Sequence, residues 1–231
     1  MCCNHNLHVK KSKFYFPVEN RFLTARSMVP MMPKTDASED TMIYDKLIKT
    51  ADDQKLLLNE ILVNHTQAIQ DLAQEIVKTF HGDGRLLLLA SGTLGSVATL
   101  VANLFAHRLA HDRPMLPAID LCQNTTLATS LIADNLSEQY FSRQLRAIAR
   151  PGDIVLAFDD VRHDTAVREA LQTAHDLECR TAKVLIGSEH DGNDSDYLFC
   201  FPQVPPARGI EGAVFFGILL CELVESELFG F

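Results

Sequence analysis

The sequence predicts an α/β fold with three layers, in which a five-stranded parallel sheet is flanked by helices and preceded by a helical N-terminal arm. Two observations support this prediction. Five short apolar runs lack polar alternation, which is typical of strands that are buried on both faces. The segments between these runs place apolar residues three and four positions apart, which favours helices. Strands that alternate with helices indicate a parallel sheet covered on both sides.

The predicted elements follow one another in a simple order. Apolar residues at helical spacing from Thr41 to the Gly82-Asp83-Gly84 turn predict one or two long helices before any strand. The predicted strands are residues 85–90, 116–121, 153–158, 181–186 and 197–201, and the helices between them are residues 94–111, 125–149 and 164–177. The last helix, residues 209–229, is apolar nearly all round, so we expect it to be buried, in part against another subunit.

The first 40 residues differ in kind from the rest. Residues 1–35 contain six basic residues and one acidic residue, a net charge of +5, in a chain whose formal net charge is −9. They lack the apolar core of a secretory signal. We predict a disordered basic leader over residues 1–40 and one folded domain over residues 41–231. A basic targeting peptide would explain the leader, and a wrongly assigned start codon would explain its internal methionines at least as well.

The composition excludes several classes of protein. The chain has 231 residues, of which 47% are hydrophobic, and this is enough for a full core. Its excess of acidic residues argues against direct binding of nucleic acid. No run approaches the roughly 20 apolar residues that cross a bilayer, so no membrane span is expected. The six cysteines form no CxxC pair, and we expect reduced thiols in a cytoplasmic protein.

Two turns that follow predicted strands contain the candidate binding residues. At the carboxyl edge of such a sheet, loops run into helix N-termini whose free N–H groups bind anions. The first turn, residues 90–96, combines small residues with the hydroxyls of Ser91, Thr93 and Ser96. The second turn, residues 159–164, contains three aspartates. Their carboxylates have three interpretations: caps of a helix N-terminus, ligands of a divalent cation, or a site for a cationic group.

The order and spacing of several segments resemble the sugar isomerase (SIS) domain, in the branch that contains the phosphoheptose isomerases and the DnaA initiator-associating protein. The resemblance extends from about residue 43 to the end of the chain. It is clearest in residues 113–119 (RPMLPAI), 133–146, 151–157 (PGDIVLA) and the last helix. It implies a homotetramer whose sugar-phosphate pocket is lined by neighbouring chains.

The phosphate pocket of that family is altered in this chain. The family's phosphate-binding serine in the first turn corresponds to Leu94, and aspartates replace hydroxyls in the second turn. Each carboxylate near a phosphate dianion would cost about 1 to 4 kcal/mol at effective dielectric constants of about 80 to 20. The resemblance therefore implies a degenerate phosphosugar pocket. Its predicted residues are Ser91, Thr93, Ser96, Gln123, Asp159, Asp160 and Asp164.

The resemblance also places side chains that do not ionise at the family's catalytic positions. Isomerisation of an aldose to a ketose needs a base and an acid near the substrate. The family's glutamate corresponds to Asn103 or Leu104, and its histidine on the last helix corresponds to Ile218. A histidine that binds metal in some members corresponds to Leu100. We therefore expect no catalytic residue, no metal and no cofactor.

These departures predict a non-catalytic SIS-domain protein that acts as a binding or regulatory homo-oligomer of the initiator-associating type, with the replication initiator DnaA as its most concrete partner. The alternative is a sedoheptulose 7-phosphate isomerase with a rearranged pocket that uses Ser91, Thr93, Ser96 and Gln123. A third interpretation is an acidic pocket for an amine or a metal-bearing ligand.

Overall fold

One parallel sheet of five strands organises the unit Ile43–Phe231, the larger of the two units into which the chain divides. The strands are β1 (Leu86–Ala90), β2 (Ala118–Asp120), β3 (Ile154–Asp160), β4 (Arg180–Ile186) and β5 (Tyr197–Phe201). They lie in the order β2-β1-β3-β4-β5, and all neighbours are parallel. The predicted α/β sheet is confirmed, with each predicted strand in its place.

The computed structural model describes residues 37–187, 195–201 and 204–230. Nearly all of the predicted leader therefore lies outside the described residues, and the smaller unit, Met1–Met42, is described only where the first helix begins.

Helices cover both faces of the sheet. The helices are α1 (Ala37–His81), α2 (Gly95–Ala106), α3 (Thr125–Ala133), α4 (Tyr140–Ile148), α5 (Thr165–Asp176) and α6 (Pro206–Phe229). Helices α1, α2 and α6 pack on one face, where Leu156 and Phe158 of β3 are fully buried. Helices α4 and α5 pack on the other face, where Val155 and Ala157 are fully buried. The strands are apolar on both sides because both sides are covered.

The helix predicted over residues 125–149 is in fact two helices, α3 and α4. Between them Asn135 adopts a left-handed backbone conformation with a φ of 56°, which asparagine tolerates better than most residues. A short 3-10 turn, Ser137–Gln139, follows and leads directly into α4. Apolar spacing did not reveal the break, because apolar residues recur at helical intervals in the sequences of both helices.

Helix α2 ends at Ala106, before the predicted end at residue 111, because a buried arginine takes over its last carbonyl groups. Arg113 donates to the carbonyl oxygens of Leu104 and Phe105, both at 2.8 Å. It also donates to the carboxylate of Glu225 in α6 at 2.6 Å. The Arg113 and Glu225 side chains are only 0% and 5% exposed, so a buried ion pair joins α2 to α6.

Helix α6 passes very close to α2 at Gly217. A Cβ atom at this position would lie 2.2 Å from Cγ2 of Val101. Proline at the start of α6 and Gly230, with a φ of 73°, at its C-cap fit the usual preferences for these positions. Over the described ranges, no helix is long and apolar enough to cross a membrane.

Candidate functional site

The carboxyl edge of the sheet contains a cavity of about 930 Å³ beside β1 and β3. The chain leaves β1 toward α2 on one face and leaves β3 toward α5 on the other, so a crevice opens between the two loops. Ser96 near the start of α2, Thr125 at the start of α3 and Thr165 at the start of α5 line the cavity. Free N–H groups at helix starts and nearby hydroxyls are suited to an anion.

A hydrogen-bonded network of Thr99, Asp120 and Gln123 forms part of the cavity. The hydroxyl of Thr99 donates to the carboxylate of Asp120 at 2.6 Å, and the amide of Gln123 donates to Oγ1 of Thr99 at 2.6 Å. The other oxygen of Asp120 accepts the N–H of Cys122 at 2.8 Å. Thr99 and Gln123 line the cavity, so this network fixes two polar groups there.

The three aspartates of the second turn are each bound by donors of the protein itself. Asp159 is 1% exposed, and its carboxylate lies 3.7 Å from Nζ of Lys183. Asp160 accepts from Nε and Nη2 of Arg162 at 2.9 and 2.6 Å. Asp164 is the N-cap of α5 and accepts the N–H of Ala166 at 2.8 Å. The helix-cap interpretation therefore holds for Asp164. The carboxylates of Asp159 and Asp160 instead lie beside the cationic side chains of Lys183 and Arg162.

The pKa values of the two adjacent carboxyl groups in this turn are shifted in opposite directions. Burial raises the pKa of Asp159 above its ordinary value, although the N–H of Asp160 and the charge of Lys183 act against this. Hydrogen bonding to the Arg162 guanidinium holds the pKa of Asp160 below its ordinary value. The carboxylate that is buried deepest is therefore the one whose charge costs most.

The thiol that faces the cavity is not reactive at neutral pH. Burial raises the pKa of Cys122 to about 12, and the charge of Asp120 acts in the same direction. Only the thiolate is a good nucleophile or metal ligand. Cys122 is therefore a packing residue of the cavity wall.

Four of the seven side chains predicted for the pocket line the cavity, and three do not. Those that line it are Ser91, Ser96, Gln123 and Asp164. Thr93 and Asp160 instead line a second cavity of about 530 Å³. Asp159 lies behind the wall of the first cavity and is connected to it through Ser91, whose hydroxyl donates to its carboxylate at 3.2 Å.

Besides Cys122 and Arg162, three titratable side chains of the cavity were not among the predicted pocket residues. Glu138, Tyr140 and His163 line it. Glu138 and Tyr140 belong to the segment 133–146 that carries the family resemblance, which was the available signal. His163 stands in the second turn in a left-handed backbone conformation, with a φ of 51°, and its N–H donates to the carbonyl of Asp160 at 2.9 Å.

The positions that the resemblance equates with the family's catalytic groups do not line this cavity. Asn103 and Leu100 are exposed on α2, and Ile218 is half-buried on α6. Among the described residues, no three histidine, cysteine, aspartate or glutamate side chains form a group that would hold a metal ion.

The fold and the cavity define the class of this protein: an α/β protein of the SIS type with a polar cavity at the point where the strand order reverses. A solved phosphoheptose isomerase from Francisella tularensis has the same fold, with a TM-score of 0.73 and 22% identity over 79% of this chain and 98% of that one. No protein-family model matches the chain.

Sequence comparison gives the family. The phosphoheptose isomerase of Trichlorobacter lovleyi is 30% identical over 188 residues, which are 80% of this chain and 94% of that protein. The phosphoheptose isomerase of Geotalea daltonii is 34% identical over 162 residues, 68% of this chain and 82% of that protein. The chain belongs to the phosphoheptose isomerase family.

This result corrects the function predicted from the sequence. The prediction of a non-catalytic binding or regulatory protein was wrong, because relatives that cover most of the chain are named as isomerases. The comparisons favour the alternative prediction, the isomerase. With this correction, the reason for naming DnaA as a partner is lost. The prediction gave too much weight to carboxylates that turn out to be paired internally.

Proposed function

We propose that the protein binds a phosphorylated sugar in the cavity at the carboxyl edge of the sheet and interconverts its aldose and ketose forms, with sedoheptulose 7-phosphate as the substrate. The observation that carries this proposal is the charge arrangement of the second turn. Repulsion of a phosphate requires uncompensated carboxylates near it. Here Lys183 lies beside Asp159, Arg162 binds Asp160, and Asp164 caps α5.

The proposed phosphate position lies between the starts of α2 and α5. Ser96 near the start of α2 and Thr165 at the start of α5 line this part of the cavity, and their hydroxyls are the groups proposed to bind the phosphate. Thr99 and Gln123 offer a fixed pair of hydrogen-bonding groups for the sugar hydroxyls. A cavity of about 930 Å³ is large enough for a seven-carbon sugar phosphate.

Glu138 and His163 are the proposed acid–base groups of the reaction. A base removes the proton from the carbon beside the carbonyl and a proton returns to the neighbouring carbon, while a second group moves a proton between the two oxygens. Carboxylate and imidazole are the usual side chains for such transfers. Burial raises the pKa values of the other candidates, Cys122 and Tyr140, and so keeps them protonated.

Incubation of the purified protein with sedoheptulose 7-phosphate tests the activity, with the aldose product followed by NMR. We expect conversion to an equilibrium mixture of the ketose and the aldose. The mixture is expected to have the same composition whichever sugar the reaction starts from. Binding is measured separately, as an increase in melting temperature, because a ligand at 100 times its Kd stabilises a protein by about 2.7 kcal/mol. A protein that neither converts nor binds the sugar phosphate contradicts the proposal.

The acid–base assignment is tested with Glu138→Gln and His163→Asn. Asparagine is chosen at position 163 because it tolerates the left-handed backbone there. Loss of a general acid or base lowers the rate by about 10² to 10⁴, and we expect this loss in kcat with little change in KM. Glu222→Gln, which changes an exposed carboxylate of α6, is the matched control. A kcat within threefold of the control, about 0.7 kcal/mol, would remove either residue from the mechanism.

The predicted homotetramer remains part of this proposal. Helix α1 leaves large apolar side chains uncovered, which suits burial against other copies of the chain. These exposed side chains include Ile43, Tyr44, Leu47, Ile48 and Leu56. Light scattering coupled to size-exclusion chromatography measures the assembly, and a monomer at micromolar concentration would contradict it.

A further inference from the structure

A lysine and an aspartate are buried together behind the cavity. Lys183 lies in the middle of β4 and Asp159 lies near the end of β3, and they are 2% and 1% exposed. In the alignment of the two strands, Lys183 is opposite Ala157, two residues before Asp159, so both side chains stand on the face that α5 covers. Charged side chains are almost never this deeply buried unless they are paired.

The Asp159 carboxylate connects the two turns that form the cavity. It accepts the hydroxyl of Ser91, from the turn after β1, at 3.2 Å. It also accepts the backbone N–H of Asp160 at 2.9 Å and that of Asp164, the cap of α5, at 3.4 Å. One buried carboxylate therefore holds a cavity-lining hydroxyl and the start of a cavity-lining helix in a fixed relation.

The charge of this carboxylate opposes the binding of an anion in the cavity. Charges inside a protein are screened by salt much less than charges at its surface, so a carboxylate one side chain behind the wall still repels a phosphate. Nζ of Lys183, at 3.7 Å from Oδ2 of Asp159, supplies a compensating charge at the same depth.

We infer that Lys183 is the residue that makes this cavity an anion site: it neutralises Asp159, which in turn positions Ser91 and the start of α5. The inference rests on the proposed function and deepens it, because it names the residue that offsets the charge of Asp159 and so allows the cavity to bind a phosphorylated ligand. Lys183 and Asp159 are positioning residues, since neither lines the cavity.

Two substitutions with opposite expected effects test the inference. Lys183→Met removes the buried cation and leaves Asp159, and it is expected to weaken the binding of inorganic phosphate about tenfold. In Asp159→Asn the side-chain oxygen can still accept the hydrogen bonds that Asp159 accepts, and the charge of Lys183 remains. This variant is expected to tighten phosphate binding about threefold or more. Structural damage alone would weaken binding in both variants. Calorimetry with inorganic phosphate measures these affinities in the full-length chain.

The double variant and a matched control complete the test. Asp159→Asn combined with Lys183→Met restores the charge balance, so its phosphate affinity is expected within about threefold of the parent. Arg180→Met removes a cation from the exposed beginning of the same strand and is expected to leave phosphate binding unchanged. In the activity assay, Lys183→Met is expected to raise KM about tenfold with kcat within threefold.

The inference and the proposed function fail in different ways. If phosphate binds as described and no variant or parent converts the sugar phosphate, the isomerase proposal fails and the inference about Lys183 stands. If the parent does not bind phosphate, or if Lys183→Met and Arg180→Met bind it alike, the inference is overturned. A double variant that binds phosphate as weakly as Lys183→Met also overturns it. If Lys183→Met does not fold, the inference is judged from the phosphate affinities of Asp159→Asn and the double variant relative to the parent. Weaker binding by Asp159→Asn then overturns it.

Discussion

Two buried ion pairs of this protein have similar chemistry and different surroundings. Arg113 and Glu225 lie 2.6 Å apart between α2 and α6, and the arginine also binds two carbonyl groups that end a helix. Lys183 and Asp159 lie 3.7 Å apart behind the cavity, and the aspartate binds the two turns that line it. The first pair joins two helices, so its loss affects stability. The second pair is connected to the cavity, so its loss affects ligand affinity.

Removal of the helix pair is expected to have the largest effect on stability. Arg113→Met leaves Glu225 buried without its cation, and such a loss costs about 3 to 5 kcal/mol. Urea denaturation of the parent and the variant measures the difference. Arg108→Met breaks the exposed pair with Asp112, whose side chains are 44% and 94% exposed, and is expected to cost about 0 to 1 kcal/mol. Equal losses in the two variants would show that burial of the first pair is not what matters.

The contact between α2 and α6 gives the second largest expected effect. Gly217→Ala places a methyl group 2.2 Å from Val101, so the helices must separate or the valine must change its rotamer. Overpacking of this kind costs about 1 to 3 kcal/mol. Gly82→Ala, where the nearest atoms lie at 3.5 Å, is the control and is expected to change the free energy of unfolding by about 0.5 kcal/mol or less. A Gly217→Ala variant as stable as the control would contradict the close packing described for these helices.

The smallest expected effect is a difference in how the contributions of Asp159 and Asp160 to stability depend on pH. The folded-state pKa of Asp159 is raised, so its stabilising contribution is complete below the unfolded value of about 3.9 and is lost as pH rises through the folded value. The folded-state pKa of Asp160 is lowered, so its contribution is present above about 3.9 and is lost as pH falls through the folded value.

These shifts predict opposite trends for two amide variants. As pH rises from about 4 toward 7, Asp159→Asn is expected to gain stability relative to the parent. Asp160→Asn is expected to lose stability relative to the parent as pH rises through values below about 4. Free energies of unfolding measured at several pH values give both trends. The same sign for the two variants would refute the opposite shifts of these carboxyl groups.

Much of the fold is predictable from this sequence because buried parallel strands and amphipathic helices have distinct patterns. All five strands were found from their apolar runs, and the break at Asn135 was missed because the helical period continues on both sides of it. The cavity was predictable as a position, since loops at the carboxyl edge of such a sheet converge there.

The pairing of the acidic side chains was not predictable in the same way. Lys183 approaches Asp159 only because β4 lies beside β3 with a particular alignment, and the sequence does not show this alignment. A signal did exist, because a lysine inside an otherwise apolar strand implies a buried acidic partner. Without that partner the carboxylates of the second turn suggested repulsion of phosphate, and the function was predicted incorrectly.

The central strand β3 carries a paired carboxylate at each end. Asp153, just before the strand, lies 2.7 Å from the guanidinium of Arg85, and Asp159 is held near Lys183. A strand that is apolar on both faces has little to prevent a one-residue slip, since every shifted side chain still meets apolar neighbours. A slipped β3 would leave both carboxylates buried without their cations. The two carboxylates therefore favour the observed alignment of β3 with its neighbouring strands, because an alignment shifted by one residue would separate each carboxylate from its cation.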